Sequence, residues 1–283
     1  MKKSRRHALG QHFLASPAVL RKIVDAISPR KDEVLVEIGA GKGALTVALA
    51  ERAGRVIAVE KDERLVPDLE KSVPANVEVV RADALTFDFR GHLGAAGIRT
   101  VRVVGNLPYS ISSPFLRRIL EERDLFTGCV FLLQKEVAAR IPAGPGSKKY
   151  APLSILLQNY YEARVEFTVA PGSFSPPPKV QSALLSLRRR PSPLLAVADE
   201  PLYGAFLQAS FAERRKILWR NLEKRAGAAA LAAAFERCGL TRNARAEELS
   251  PGQFARLFEA LRQGAESSER PSEGGRSGSE PHF

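Results

Sequence analysis

The sequence predicts an α/β domain on a mostly parallel, seven-stranded sheet, followed by a small all-α domain. Three observations carry that expectation. Five short β-branched runs alternate with helix-like stretches in the first half, two more strand-like runs follow near residues 163–187, and from Pro201 the patterning is purely helical. A chain of 283 residues has room for two domains of ordinary size, each with a real core.

Taken in order, Ser16-Pro17 reads as an N-cap and N1 pair that opens a helix through Ile27, ahead of the sheet. Residues 34–38 (VLVEI), 55–60 (RVIAVE), 77–81 (VEVVR), 101–105 (VRVVG) and 129–133 (CVFLL) read as strands buried on both faces. Residues 44–52, 63–72 and 113–122 carry apolar positions at helical spacing, and the repeated βα order implies right-handed crossovers between parallel strands. Residues 163–169 and 180–187 flank APGSFSPPPK, too long and proline-rich for a tight hairpin; as an antiparallel pair they close the sheet. The segments YGAFLQASF, RRKILWRNLEKR, AAALAAAFERC and SPGQFARLFEALR then read as helices, and the boundary falls at Arg190-Pro191-Ser192-Pro193. The expected organisation is a basic arm and helix over 1–30, the sheet domain over 31–190, a helical domain over 191–262 and a disordered Ser/Gly/Glu-rich tail over 263–283.

Charge is distributed unevenly. The net +12 is concentrated in residues 1–30 (+6) and 188–225 (+5), which leaves the rest of the chain nearly neutral. Two basic flaps beside a neutral domain are the electrostatic footprint of a protein that holds a phosphate backbone, although solvated basic helices give the same count. Cys129 and Cys238 form no C-x-x-C pair, which excludes a zinc ribbon or a disulfide framework and fits a reducing compartment. The N-terminus has no apolar signal core and no run is long enough to span a bilayer, so the expectation is a cytoplasmic protein. The four histidines show no metal-binding spacing, so no metal site is expected, and His7 and His12 are read as ordinary hydrogen-bonding residues.

After the first strand, Glu37-Ile38-Gly39-Ala40-Gly41-Lys42-Gly43 places a glycine-rich turn where the ligand crevice of a parallel sheet opens. Gly39 and Gly41 let the backbone approach a ligand, and the next helix N-terminus can face a negative group. Glu60 ends the second strand, where a carboxylate accepts from both ribose hydroxyls of a nucleoside, and Asp83 ends the third, where it can accept from an adenine amine or simply cap a turn. This spacing also satisfies the dinucleotide pattern, so an NAD-dependent oxidoreductase stays open at this point.

Asn106-Leu107-Pro108-Tyr109 follows the fourth strand and points to a specific chemistry. An exocyclic adenine amine is a poor nucleophile, because its lone pair is delocalised into the ring. Acceptors on its N–H bonds, such as the Asn106 amide oxygen and the Pro108 carbonyl, favour a more reactive nitrogen, and Tyr109 can stack on the purine. With a sulfonium methyl donor no strong general base is required, since alignment and charge complementarity supply the acceleration.

Here the sequence resembles the rRNA adenine N6-dimethyltransferases, most closely their bacterial small-subunit branch. The likeness runs from about residue 7 to about residue 225 and rests on Gly10 to Leu14, Val36 to Thr46, Asp83-Ala84-Leu85, Asn106 to Ser110, Leu133 to Val137, Pro145 to Lys148, Phe174 to Val180 and Arg214-Arg215-Lys216. It implies a Rossmann-like methyltransferase fold with S-adenosylmethionine held by His12, Leu14, Gly39, Glu60, Asp83 and Asn106. It also implies target-base contacts from Asn106 to Tyr109 and stacking from Phe174, which from the sequence alone reads more readily as a local packing anchor. The implied reaction is N6,N6-dimethylation of two adjacent adenosines in the 3′-terminal hairpin loop of 16S rRNA, within the small ribosomal subunit or its precursor. Departures are Ala40, where proline is common, and Trp219 on a usually polar helix face.

Lys179 and the Arg214-Arg215-Lys216 triple suit phosphate contacts. The catalytic motifs do not separate this branch from the 23S rRNA enzymes, whereas Leu107, the Pro145 to Lys148 loop and the Arg214-Arg215-Lys216 helix resemble the small-subunit branch. A 23S rRNA or DNA adenine methylase and a non-catalytic RNA-binding assembly factor stay open; no membrane partner is expected, and a monomer suffices.

Overall fold

A computed structural model describes residues 11–269. Residues 1–10 of the expected basic arm and residues 270–283 of the expected tail lie outside the described residues. The chain divides into two compact units, the first running through Pro142 and again over Tyr160–Pro191, the second over Ala143–Asn159 and from Ser192 on.

The first unit contains β1 (Phe13–Leu14), α1 (Pro17–Ile27), β2 (Val34–Ile38), α2 (Ala44–Ala50), β3 (Arg55–Glu60), α3 (Val66–Ser72), β4 (Val77–Arg81), α4 (Phe89–Ala95), β5 (Val101–Asn106), α5 (Ser112–Glu121), β6 (Phe126–Gln134) and α6 (Lys135–Arg140). After α7 (Pro152–Tyr160), it resumes with β7 (Tyr161–Val169), β8 (Phe174–Ser175) and β9 (Ser182–Arg189). Seven strands form one sheet in the order β4-β3-β2-β5-β6-β9-β7, while β1 and β8 pair separately. Pairing is parallel from β4 through β6 and antiparallel for β6–β9 and β9–β7, so the expected closing pair is present with the later strand on the inside.

The first helix forms as its sequence dictates. Ser16 Oγ accepts from the Val19 N–H at 3.4 Å, Pro17 supplies the first turn, and Ser28 closes the helix in the left-handed region with its N–H on the Val24 carbonyl. The buried face of α1, Ile23, Val24 and Ile27, joins Leu35, Leu49, Val56 and Val104 in one core, each such side chain contributing roughly 1.5–3 kcal/mol by leaving water. Chain direction positions the site: from β2 the sheet grows outward through β3 and β4, whereas β5 and β6 lie on its other side. The order therefore reverses between β2 and β5, and at such a switch point a crevice opens beyond the carboxyl ends of the strands.

The second unit contains α7, α8 (Glu200–Ser210), α9 (Leu218–Ala226), α10 (Ala228–Arg237) and α11 (Pro251–Glu269). Three expectations change here. Residues 143–159, read from sequence as part of the sheet domain, pack with the helices because Tyr150 and Ile155 are buried in the helical core, the Tyr150 ring lying 5.9 Å from that of Phe211. Arg214, Arg215 and Lys216 lie in a turn rather than on a helix, since the Asn221 side chain donates to the Ser210 carbonyl at 2.7 Å and α9 begins only at Leu218. Residues 264–269, assigned to the tail, continue α11, which starts from a Ser250–Gln253 capping pair and meets no proline before Pro271. Trp219 is buried in this core against Phe235, with the Arg242 guanidinium 4.1 Å from its ring centroid.

The short helices α4, α6 and α7 are not among the helices that the sequence predicts. Helix α4 carries Gly91 and Gly94, both poor helix formers, and depends on Asp88 accepting from the Gly91 N–H at 2.8 Å. Among the described residues no helix is long and apolar enough to cross a membrane, and no group of three or more His, Cys, Asp and Glu could hold a metal ion.

Candidate active site

A pocket opens at the switch point, walled by five chain segments: residues 11–13, the β2 end with Gly39 and Gly41, the β3 end through Lys61, residues 82–84 and residues 106–111. It brings together His12, Gly39, Gly41, Glu60, Asp83, Asn106, Leu107, Pro108 and Tyr109. It does not include Leu14, Phe174, Lys179 or Arg214 to Lys216.

The glycine turn needs its glycines for two reasons. Gly39 and Gly41 have φ of 74° and 59°, in the left-handed region, and a Cβ on Gly41 would sit 3.1 Å from the Phe13 ring. Glu60 holds the turn from the neighbouring strand. Its carboxylate is buried, with one oxygen accepting from the Gly41 N–H and the other from the Asp62 N–H, both at 2.8 Å. Each oxygen keeps a second lone pair for a ligand hydroxyl. Asp62, which no sequence motif marks, has its carboxyl held down to about 2 by its hydrogen bonds with Arg64, and also accepts from Gln11 at 3.3 Å, which ties the first pocket segment to the end of β3. Glu37, under the turn, is fully buried, and its Oε2 has no hydrogen-bond partner among the described residues; burial pushes its carboxyl up to about 7, opposed by Thr46 and reinforced by Glu60.

Asp83 closes the other end. The Lys61 ammonium at 2.6 Å and the Leu85 N–H at 3.0 Å both favour its carboxylate form and hold its pKa below the ordinary value. Asp83 thus caps a turn and faces the pocket at once.

The Asn106 to Tyr109 turn is fixed from both sides. The Asn106 amide nitrogen donates to the His12 carbonyl at 2.8 Å, while the amide oxygen has no hydrogen-bond partner among the described residues. His12 Nδ1 donates in turn to the Pro176 carbonyl at 2.8 Å. The Tyr109 hydroxyl lies 2.8 Å from Ser182 Oγ, buried at the start of β9, and its ring stands 5.6 Å from the His12 ring. One expectation is corrected here. The Pro108 carbonyl already accepts from the Ile111 N–H at 3.0 Å and from Ser112 Oγ at 3.3 Å, whereas the Leu107 carbonyl has no hydrogen-bond partner among the described residues. The spare backbone acceptor in the turn is therefore that of Leu107.

Phe174 does not face the pocket. It is 4% exposed and sits in the sheet-domain core with Leu14 packed alongside, their two short strands paired in register. Lys179, Arg214, Arg215 and Lys216 are all exposed, and Arg214 in addition donates to the Tyr150 carbonyl at 3.0 Å and lies 3.6 Å from the Glu247 carboxylate.

The family model for ribosomal RNA adenine dimethylase matches residues 2–263. The chain belongs to that family. It is similar to ribosomal RNA small subunit methyltransferase A of Geobacter sulfurreducens, 44% identical over 90% of this chain and 95% of the relative, and to that of Myxococcus xanthus, 42% identical over 90% of each. Among solved structures it resembles a dimethyladenosine transferase from Plasmodium falciparum (26% identity, 89% of this chain and 98% of that one, TM-score 0.77). It also resembles the 23S rRNA methyltransferase ErmE (29% identity, 89% and 100%, TM-score 0.68). The fold is accordingly the Rossmann-like methyltransferase fold, and the protein is an rRNA adenine dimethyltransferase using S-adenosylmethionine, which closes the oxidoreductase alternative. The pocket of this dimethylase fits that cofactor: a glycine turn whose left-handed Gly41 packs closely on Phe13, a buried acceptor in Glu60 and an ionised acceptor in Asp83.

Proposed function

We propose that the enzyme transfers methyl groups to N6 of two adjacent adenosines in the 3′-terminal hairpin loop of 16S rRNA, acting in the cytoplasm, as a monomer, on the small ribosomal subunit or its precursor during biogenesis. The observation that carries the chemistry is the Asn106 amide, clamped by its nitrogen on the His12 carbonyl so that its oxygen is presented in a fixed direction. The small-subunit target is supported by the relatives that match along nearly their whole length, which carry that name.

Bound S-adenosylmethionine supplies an activated sulfonium methyl. Glu60 would accept the ribose hydroxyls and Asp83 the adenine amine, with the glycine turn and His12 enclosing the remainder. The Asn106 oxygen and the Leu107 carbonyl accept the two N–H bonds of the target amine and favour a pyramidal nitrogen. Tyr109, its hydroxyl anchored on Ser182, holds the purine face. After the first transfer a single N–H remains, so one acceptor suffices for the second. Phe174 serves as the buried anchor of the loop that carries Lys179, rather than as a stacking platform.

The deciding experiment follows labelled methyl transfer to undermethylated small subunits, large subunits and DNA in parallel, and then maps the modified base. We expect N6,N6-dimethyladenosine at the paired adenines of the small subunit. Label on 23S rRNA or DNA overturns the target, and RNA binding without transfer establishes the assembly-factor reading. Phosphate contact by the exposed bases has its own test. Replacing Arg215 and Lys216 with alanine lowers the slope of log affinity against log salt by about 1.4, roughly 0.7 for each lost contact to single-stranded RNA. Arg214→Ala leaves the slope in place because that side chain is already engaged. An unchanged slope in the double variant removes the assignment.

A further inference from the structure

Arg118, on α5, is outside the pocket and was not singled out by any motif, yet its side chain is only 12% exposed. Its guanidinium donates through Nη1 to the Ala84 carbonyl at 2.5 Å and through Nη2 to the Phe87 carbonyl, while Nε donates to Glu122 at 2.7 Å and Cζ lies 4.6 Å from the Phe89 ring centroid. The two carbonyls bracket the turn that Asp83 initiates. Within that turn Asp83 Oδ1 accepts from the Leu85 N–H, and the Asp83 carbonyl accepts from the Thr86 and Phe87 N–H groups at 3.0 and 2.9 Å. Residues 82–84 form one wall of the pocket. The turn has no regular secondary structure, so its outward carbonyls depend on a donor from elsewhere, and a planar fork can hold two of them at a fixed separation.

We infer that Arg118 is a positioning residue for cofactor recognition: it locks the 83–87 turn and thereby aims the Asp83 carboxylate at the adenine amine of S-adenosylmethionine. The inference rests on the proposed role of Asp83. Its positive charge also favours the ionised form of that carboxylate, behind the stronger effects of Lys61 and the Leu85 N–H. Helix α5 begins just beyond the Asn106 to Tyr109 turn, so the same rigid element that follows the target-base residues reaches back, six positions on, to the adenosyl end.

Binding of S-adenosylhomocysteine and of its 6-oxo counterpart, S-inosylhomocysteine, measured by titration calorimetry, tests this without reference to turnover. Wild type prefers the adenosyl ligand by about tenfold or more, as expected for a hydrogen bond to a charged acceptor. Arg118→Ala reduces that preference by about fivefold or more while affinity for the RNA hairpin is unchanged. Glu122→Gln, which removes the charge of the Arg118 ion pair and spares both carbonyl bonds, keeps the wild-type preference. If Arg118→Ala does not fold, the ratio is read in Arg118→Lys, whose ammonium cannot bridge both carbonyls in the same geometry; a reduced ratio supports the inference and a wild-type ratio overturns it. A wild type that binds both ligands equally overturns the role of Asp83 and this inference together. Discrimination retained in the Arg118 variants overturns this inference alone.

Discussion

Asn106→Ala lowers the rate of methyl transfer by about 100- to 1000-fold at saturating cofactor and RNA, the usual consequence of deleting one preorganised polar group at a reacting centre. The truncation removes the acceptor for the target amine and also frees the His12 carbonyl, so the segment over residues 11–13 loses its tie to the end of β5. Single-turnover transfer to undermethylated small subunits reads the effect, and filter binding of the same variant shows RNA affinity within a few-fold of wild type. A rate within tenfold of wild type overturns the assigned role of Asn106. A cell whose requirement for the protein is met by the variant shows that RNA binding is the essential act.

Gly105→Ala has the largest expected effect on stability. A Cβ at Gly105 would lie 2.4 Å from the Ile38 carbonyl oxygen and 3.2 Å from two further Ile38 backbone atoms, so the obstruction is the neighbouring strand itself and not a side chain that can rotate away. Relief requires β2 and β5 to move apart at their carboxyl ends, where the sheet order reverses and where Asn106 is the next residue. We expect a loss on the order of 3 kcal/mol, or about 6–12 °C in thermal midpoint, together with weakened cofactor binding. Gly94→Ala in α4 is the matched control: nothing lies within 4 Å of its added Cβ, and alanine favours the helix. Similar midpoints for the two variants overturn the steric account.

The sheet was legible because its central strands β2 and β3 are buried and rich in Val and Ile, and the edge strand β4 keeps the same β-branched composition; residues 34–38, 55–60 and 77–81 are read from sequence with the bounds they have in the structure. The glycine turn and the Asn106 to Tyr109 turn were legible because each is contiguous. What sequence hides is contact between distant positions. Ser182 lies 73 residues from Tyr109 and Arg118 lies 34 from Ala84, and neither pairing has a local signature. Phe174 shows the converse: its place in a proline-rich loop does not reveal that the ring turns inward beside Leu14. The choice between the Leu107 and Pro108 carbonyls depends on where the Ile111 and Ser112 donors fall, which only the folded turn fixes.

The helical unit is assembled from two separate stretches of chain, Ala143–Asn159 and the residues from Ser192 on. A truncation at the Pro191 boundary therefore does not release a clean sheet domain. It strands Tyr150 and α7 with its buried Ile155 on the fragment, their apolar faces cut off from Phe211, Phe254 and Phe258, and such a fragment carries its own nucleus for aggregation. Nor can the C-terminal piece be expressed alone with its core complete. The helical unit is thus bound to the sheet unit as a single heritable module: recombination at the Pro191 linker splits the helical core while the sheet core stays whole, and an exchange between homologues that preserves both cores must carry the 143–159 excursion along with the helices.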